Sequence, residues 1–291
     1  MRPKCRVHYM EATAQYWTHD LSPFLIEFSS DFLGVEGIRY YGLAYIASFL
    51  ILWALLVLYH QRGRITLSAD QRSALLTALI LGVLIGGRLG YSLLYDLAAC
   101  LQQPWRIFRI DQGGMASHGG ILGVLLALIW YAKQQNVNFL RLSDVICSIA
   151  PVGLMLGRVA NFVNGELWGR VTTVPWAVIF PHSPAQYNAV LDHYGPEPRH
   201  PSQLYQAGLE GAILFAYLQI RFWRGSLHPG QIAGEFLIGY ALLRILGELF
   251  REPDAALILN LSRGQFYSLF LLFAGMLTLF LIRKKWLCST R

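Results

Sequence analysis

Seven long apolar runs leave this chain few folds to choose from. They are Gly42–Tyr59, Leu75–Leu97, Gly119–Ala132, Val145–Val163, Leu204–Ile220, Ile232–Phe250 and Phe266–Ile282, the third extending back to Met115. A bilayer is crossed by a helix of about 17–25 predominantly apolar residues, because only a helix satisfies every backbone hydrogen bond within one segment. The pattern therefore predicts an all-α integral membrane protein with seven transmembrane helices. Composition agrees: 55% hydrophobic residues against 14% charged ones cannot clothe a soluble globule of this size.

The placement of the charge matters more than its sum. A net charge of +7 on a soluble domain would suggest nucleic acid, but here the basic residues follow the loops, and no nucleic-acid partner is expected. With the N-terminus outside, the loops after the first, third, fifth and seventh runs gather Arg62, Arg64, Arg72, Lys133, Arg141, Arg221, Arg224, Arg283, Lys284, Lys285 and Arg291. The opposite side carries only Arg39, Arg106, Arg109, Arg170, Arg199, Arg251 and Arg263, spread over about twice the length. The positive-inside rule then orients the chain N-out and C-in. Residues 1–41 read as an N-terminal extension and outer arm without a signal-peptide core, residues 42–285 as the membrane domain, and 286–291 as a cytoplasmic tail. Cys5, Cys100, Cys147 and Cys288 have no metal or redox spacing, and no metal or cofactor is expected.

Between the fourth and fifth runs lies the longest loop, residues 164–203, rich in proline and aromatic residues. A small folded cap on the outer face is expected there. In the second run Gly82, Gly86 and Gly90 recur every four residues, a small-residue stripe that lets helices approach closely in lipid.

Charges inside apolar runs carry the functional signal. Arg88, Arg158 and Arg244 each cost roughly 2.5–3.5 kcal/mol at mid-membrane on the insertion scale, so each calls for a use. Tyr240, Arg244 and Glu248 lie four apart and share one helix face, with Glu235 before them and Arg251 after. Arg158 and Asn161 lie three apart, with Asn164 and Glu166 just beyond. Two guanidiniums converging at headgroup depth make a clamp for a phosphodiester, since each offers a bidentate fork. The bland reading of Arg244–Glu248 is an ion pair that holds helices together. His118 opens the third run between glycines, where its imidazole suits removal of a thiol proton near neutral pH. A lone histidine at an interface also serves simply as an anchor.

These residues sit in stretches that resemble the prolipoprotein diacylglyceryl transferase family along nearly all of Ser22–Lys285. The stretches are Arg39-Tyr-Tyr-Gly-Leu43, Gly86-Gly-Arg-Leu-Gly-Tyr91, Gly113-Gly-Met-Ala-Ser-His-Gly-Gly120, Gly157-Arg-Val-Ala-Asn-Phe-Val-Asn-Gly-Glu166, Arg199-His-Pro-Ser-Gln-Leu-Tyr205 and Gly239-Tyr-Ala-Leu-Leu-Arg-Ile-Leu-Gly-Glu248. Ala160 and Ser117 depart from the usual family pattern without removing a functional group. The resemblance implies a bacterial inner-membrane transferase that moves the diacylglyceryl group of phosphatidylglycerol to the lipobox cysteine of prolipoprotein signal peptides. A thioether forms and glycerol phosphate leaves. It implies Arg158 and Arg244 as the phosphate clamp, Glu248 as the partner that orients Arg244, and His118 as the candidate base. Tyr41, Asn161, Glu166 and Tyr240 would join the two arginines in contacting phosphatidylglycerol.

Intramembrane Arg and Glu also mark secondary transporters, the main alternative. Those tend to show inverted repeats, and none is visible here. A lipid-binding scaffold is a second alternative, which would have no use for a histidine beside an arginine clamp.

Overall fold

The computed structural model describes residues 16–28, 37–108, 114–188, 193–225 and 228–289. It is predominantly helical, and its strands are two to four residues long. In chain order come β1 (Trp17–Thr18), β2 (Phe24–Glu27), β3 (Gly37–Arg39), α1 (Tyr40–Gln61), α2 (Ala69–Leu94), the short α3 (Leu97–Gln102), α4 (Ser117–Gln134) and α5 (Phe139–Val163). Then follow β4 (Val178–Ile179), β5 (Ala185–Asn188), β6 (His193–Pro196), β7 (Pro198–Arg199), α6 (Ser202–Gln206), α7 (Leu214–Arg224), α8 (Gln231–Glu248) and α9 (Arg263–Ser289). A π-helical segment, Ala207–Ile213, joins α6 to α7.

Among the described residues, four helices are long and apolar enough to cross a membrane: α1, α2, α5 and Arg263–Lys284 of α9. The other three apolar runs are helical too, but each departs from a plain span for a visible reason. At 18 residues α4 spans roughly 27 Å and is framed by polar ends. The fifth run is interrupted by its π-helical turn, and α8 carries Glu235, Arg244 and Glu248 within 18 residues.

Two compact units divide the chain, with boundaries inside α1 and α5. The unit formed by the first half of α5, most of α1, α2 and α4 is held by the glycine stripe. A Cβ on Gly86 would sit 2.4 Å from the Gly119 carbonyl oxygen, and one on Gly123 would sit 2.0 Å from that of Gly82. The α2 and α4 backbones thus touch directly, the close approach that small residues permit. Ser68 starts α2 with a reciprocal capping box, accepting from Gln71 N–H at 3.2 Å while its own N–H reaches Gln71 Oε1 at 3.0 Å.

The second unit contains the rest of α5, α8, α9 and the small sheets. In it β1 pairs in parallel with β4, and β4 antiparallel with β7. Val178, Ile179 and Phe180 are buried, and the Phe180 ring packs on that of His19, whose Nε2 lies 2.7 Å from the Phe162 carbonyl. Within residues 1–41, expected as an N-terminal extension and outer arm, Trp17–Thr18 forms a strand. Residues 1–15 lie outside the described residues, as do 189–192 within the expected cap and the last two residues of the expected tail.

Candidate active site

The site grows from three helices that each deliver one charge to the same place. On α5, Arg158 follows Met155 by one turn, and the Met155 Cβ would lie 2.4 Å from a Cβ on Gly211. The bare backbone of Gly211 therefore lets the π-helical turn press against α5. Beside it stands Glu210, with no exposed surface. Its Oε2 accepts from Arg158 Nη2 at 3.3 Å, and its Oε1 accepts from Arg244 Nη1 of α8 at 3.1 Å. One carboxylate thus joins the two guanidiniums.

Arg244 also donates from Nη2 to Glu248 Oε1 at 2.8 Å, one turn along α8. Glu248 is itself surrounded by donors: Ser262 Oγ at 2.6 Å, Arg251 Nη1 at 3.3 Å and Gln206 Nε2 at 3.5 Å. A buried carboxylate must be paired and hydrogen-bonded to offset its loss of solvation. Ser262 serves twice, because its hydroxyl also accepts from Gln265 N–H at 3.1 Å and so caps α9. Gly264 completes the fit, since a Cβ there would meet the Glu248 carboxyl carbon at 2.7 Å. At the rim Arg251 Nη2 reaches the exposed Asp254 at 2.8 Å.

A second cluster forms where α5 ends. Gly165 and Leu167 adopt φ of 63° and 58°, turning the chain so that Glu166 comes back over Asn161. Glycine suits that turn, because an added Cβ on Gly165 would also press on His19 at 3.1 Å. Asn161 Nδ2 donates to Glu166 Oε1 at 2.8 Å, and the Tyr41 hydroxyl bonds both groups. Gln203 Nε2 fixes the turn through the Glu166 carbonyl at 2.6 Å. Tyr41 lies within electrostatic reach of Arg158, and Tyr240 within reach of Glu210, Arg244, Arg158 and Glu248. Tyr240 stacks on Phe236 one turn earlier.

The structure therefore brings Arg158, Arg244 and Glu248 together, and gathers Tyr41, Asn161 and Glu166 beside them. His118 belongs to the other unit, on the first turn of α4, and is exposed. Its flanking glycines were expected to open access to the ring. Gly119 is instead committed to helix packing, its Cβ position 2.2 Å from the Gly86 carbonyl oxygen; Gly120 alone meets nothing closer than 3.8 Å. Arg88, the third intramembrane arginine, is buried in the same unit. It donates to the carbonyls of Ile107 at 2.9 Å, Gly114 at 3.2 Å and Arg106, tying down the chain that enters α4. His200, in the loop between α5 and α6, shares a 3.2 Å hydrogen bond between its Nδ1 and the Tyr205 hydroxyl, which accepts from Trp176 Nε1 at 2.6 Å. Burial pushes its imidazole below the usual histidine value.

Sequence reasoning missed Glu210, Gln206 and Ser262. The signal for Glu210 was present: it is the one carboxylate in the fifth apolar run, and the rule that singled out the arginines applies to it equally. Glu235, which precedes Arg244 and Glu248 in the sixth run, pairs with Arg221 through two bonds of 2.8 and 2.9 Å. Among the described residues no group of three His, Cys, Asp or Glu side chains is placed to hold a metal.

A family model described as prolipoprotein diacylglyceryl transferase matches residues 31–281. Three relatives carry the name phosphatidylglycerol–prolipoprotein diacylglyceryl transferase. The one from Zymomonas mobilis is 44% identical over 253 residues, 85% of each chain. The one from Cereibacter sphaeroides is 45% identical over 247 residues, 82% of this chain and 83% of the relative. The one from Bradyrhizobium diazoefficiens is 42% identical over 260 residues, 86% of this chain and 89% of the relative.

Proposed function

The chain belongs to the prolipoprotein diacylglyceryl transferase family, and from that premise we propose that Arg158 and Arg244 clamp the phosphate of phosphatidylglycerol while a prolipoprotein cysteine takes its diacylglyceryl group. The chain is a membrane transferase, and its substrates are the lipid and the precursor protein. The observation that carries the clamp is the meeting of two guanidiniums from different helices on one buried carboxylate.

The chemistry asks for what these residues offer. The lipobox thiol loses its proton to a base, and its sulfur attacks the glycerol carbon that bears the phosphate ester. A C–S bond forms as the C–O bond breaks, and glycerol phosphate departs with the bonding electrons. Negative charge grows on the leaving phosphate, so preorganised cations beside it lower the barrier. A free thiol is only a few per cent ionised at pH 7, hence the need for a base. His118 takes that role in this reading. Glu248 orients Arg244, while Tyr41, Asn161, Glu166 and Tyr240 receive the headgroup. No metal or cofactor takes part in any of these steps.

The same reading makes all seven apolar runs membrane spans in the bacterial inner membrane, N-terminus outside and C-terminus in the cytoplasm, with residues 164–203 as a periplasmic cap. The distribution of basic residues supports that orientation.

Purified protein incubated with phosphatidylglycerol and a lipobox peptide should add one diacylglyceryl mass to the peptide cysteine. Arg158→Ala and Arg244→Ala should each abolish nearly all of that gain at normal membrane levels. Activity near that of the unmodified protein in both variants would overturn the clamp.

A further inference from the structure

Glu210 has no exposed surface, unlike any other charged side chain among the described residues, and the mechanism above gives it no task. It sits in the middle of the π-helical turn Ala207–Ile213. Such turns are rare and are found frequently at functional sites, since the extra residue per turn swings a side chain away from its α-helical direction. The turn is also squeezed onto α5, where Gly211 leaves no room for a side chain against Met155. Irregular backbone and close approach together deliver one carboxylate between two helices that each carry an arginine.

The division of labour at that carboxylate is specific. Oε2 serves Arg158 and Oε1 serves Arg244, so neither oxygen is free to be lost. Two guanidiniums this near each other repel, and without a shared anion each would turn toward another partner. Arg244 has one in Glu248, whereas the only carboxylate found on Arg158 among the described residues is Glu210.

We propose that Glu210 is a positioning residue: its carboxylate binds Arg158 and Arg244 through separate oxygens and thereby sets the two forks as one anion clamp. This rests on the clamp reading above. The role requires two anionic oxygens, not merely a side chain of the right volume. Glutamine keeps the volume but offers one acceptor and turns an N–H toward the other guanidinium. Aspartate loses a methylene yet keeps both oxygens and the charge. A packing role ranks glutamine above aspartate; the positioning role ranks aspartate above glutamine.

The test measures transfer from phosphatidylglycerol to a lipobox peptide by full-length Glu210→Gln and Glu210→Asp, with detergent-solution melting temperatures recorded alongside. We expect kcat to fall by about 10–100-fold in Glu210→Gln, the scale of one lost charge-assisted hydrogen bond, and distinctly less in Glu210→Asp. Turnover that is retained in Glu210→Gln, or is higher there than in Glu210→Asp, overturns the proposal. Should Glu210→Gln fail to accumulate, Glu210→Asp is compared with and without Arg158→Lys. The aspartate effect should largely vanish once Arg158 is lysine, and independent, multiplying losses refute the coupling. The alanine variants of Arg158 and Arg244 separate the two ideas. If they stay active, the clamp itself fails; if they are inactive while Glu210→Gln turns over normally, only the role of Glu210 fails.

Discussion

Arg244→Lys keeps the charge on α8 and removes the fork. In the structure Arg244 spans two carboxylates, Glu210 from Nη1 at 3.1 Å and Glu248 from Nη2 at 2.8 Å. An ammonium is a compact point charge whose three N–H bonds radiate from one nitrogen, so it cannot reproduce the two separate nitrogens that hold Glu210 and Glu248 at their present distances. The variant therefore forfeits one charge-assisted hydrogen bond in a site where Arg244 is nearly buried, a loss of roughly 1.5–3 kcal/mol. If that bond sets the clamp in the transition state, turnover falls by about 10–150-fold. Glu248→Gln weakens the same link from the other end, so the double variant should be far better than the product of the two losses. Coupling of about 1–3 kcal/mol is expected between groups in direct contact. The assay is single-turnover mass gain on a lipobox peptide, run for both single variants and the pair. Arg244→Lys within twofold of the unmodified protein, or strictly multiplicative losses, would refute the argument that the fork and its orientation matter.

Three further outcomes are expected. His118→Gln should retain phosphatidylglycerol binding but lose about 10²–10⁴ in turnover, and the deficit should shrink toward the thiol's own pKa of about 8.5, where hydroxide supplies the thiolate. His200→Gln is its control, with a smaller loss that does not change with pH; an equal His118 deficit at pH 6 and pH 9 would exclude the base. Gly123→Ala should lower the melting temperature in detergent, because its Cβ would lie 2.0 Å from a backbone oxygen of α2, while Gly157→Ala, with nothing within 4 Å, should be neutral or stabilising. A reporter fused after Arg291 should behave as cytoplasmic, and periplasmic behaviour would reverse the side assigned to every loop.

What was legible in the sequence follows from what is local. Helix position is written in hydrophobic runs, and each of the seven expected runs falls mainly on helix, although α2 stops at Leu94 short of Leu97, Met115 precedes α4 and α8 stops at Glu248 short of Phe250; caps such as Ser68 before α2 and Ser262 before α9 set where helices begin. The glycine stripe at Gly82, Gly86 and Gly90 also meant what it suggested, because a face without side chains in lipid has few uses besides packing. The partner stripe, Gly119 and Gly123, was harder to see. Its glycines stand beside His118 and invite a functional explanation, although their bare backbones are already taken up by α2. The π-helical turn left no trace in the apolar pattern, since one extra residue per turn shifts phase by less than a short run can reveal.

The site was half visible for a related reason. Partners on one helix can be found by counting, and Arg244 with Glu248 emerged from a spacing of four. Partners on different helices cannot. Glu210 stands 52 residues from Arg158 and 34 from Arg244, and nothing in the local pattern joins them. Charge balance would have helped where spacing could not. Two arginines brought together in an apolar environment demand an anion between or beside them, because their repulsion is screened so weakly there. The fifth run holds a single carboxylate, so the demand and its answer were both present in the sequence. Only the bend that unites them, Gly211 laid bare against Met155, required the fold to be seen.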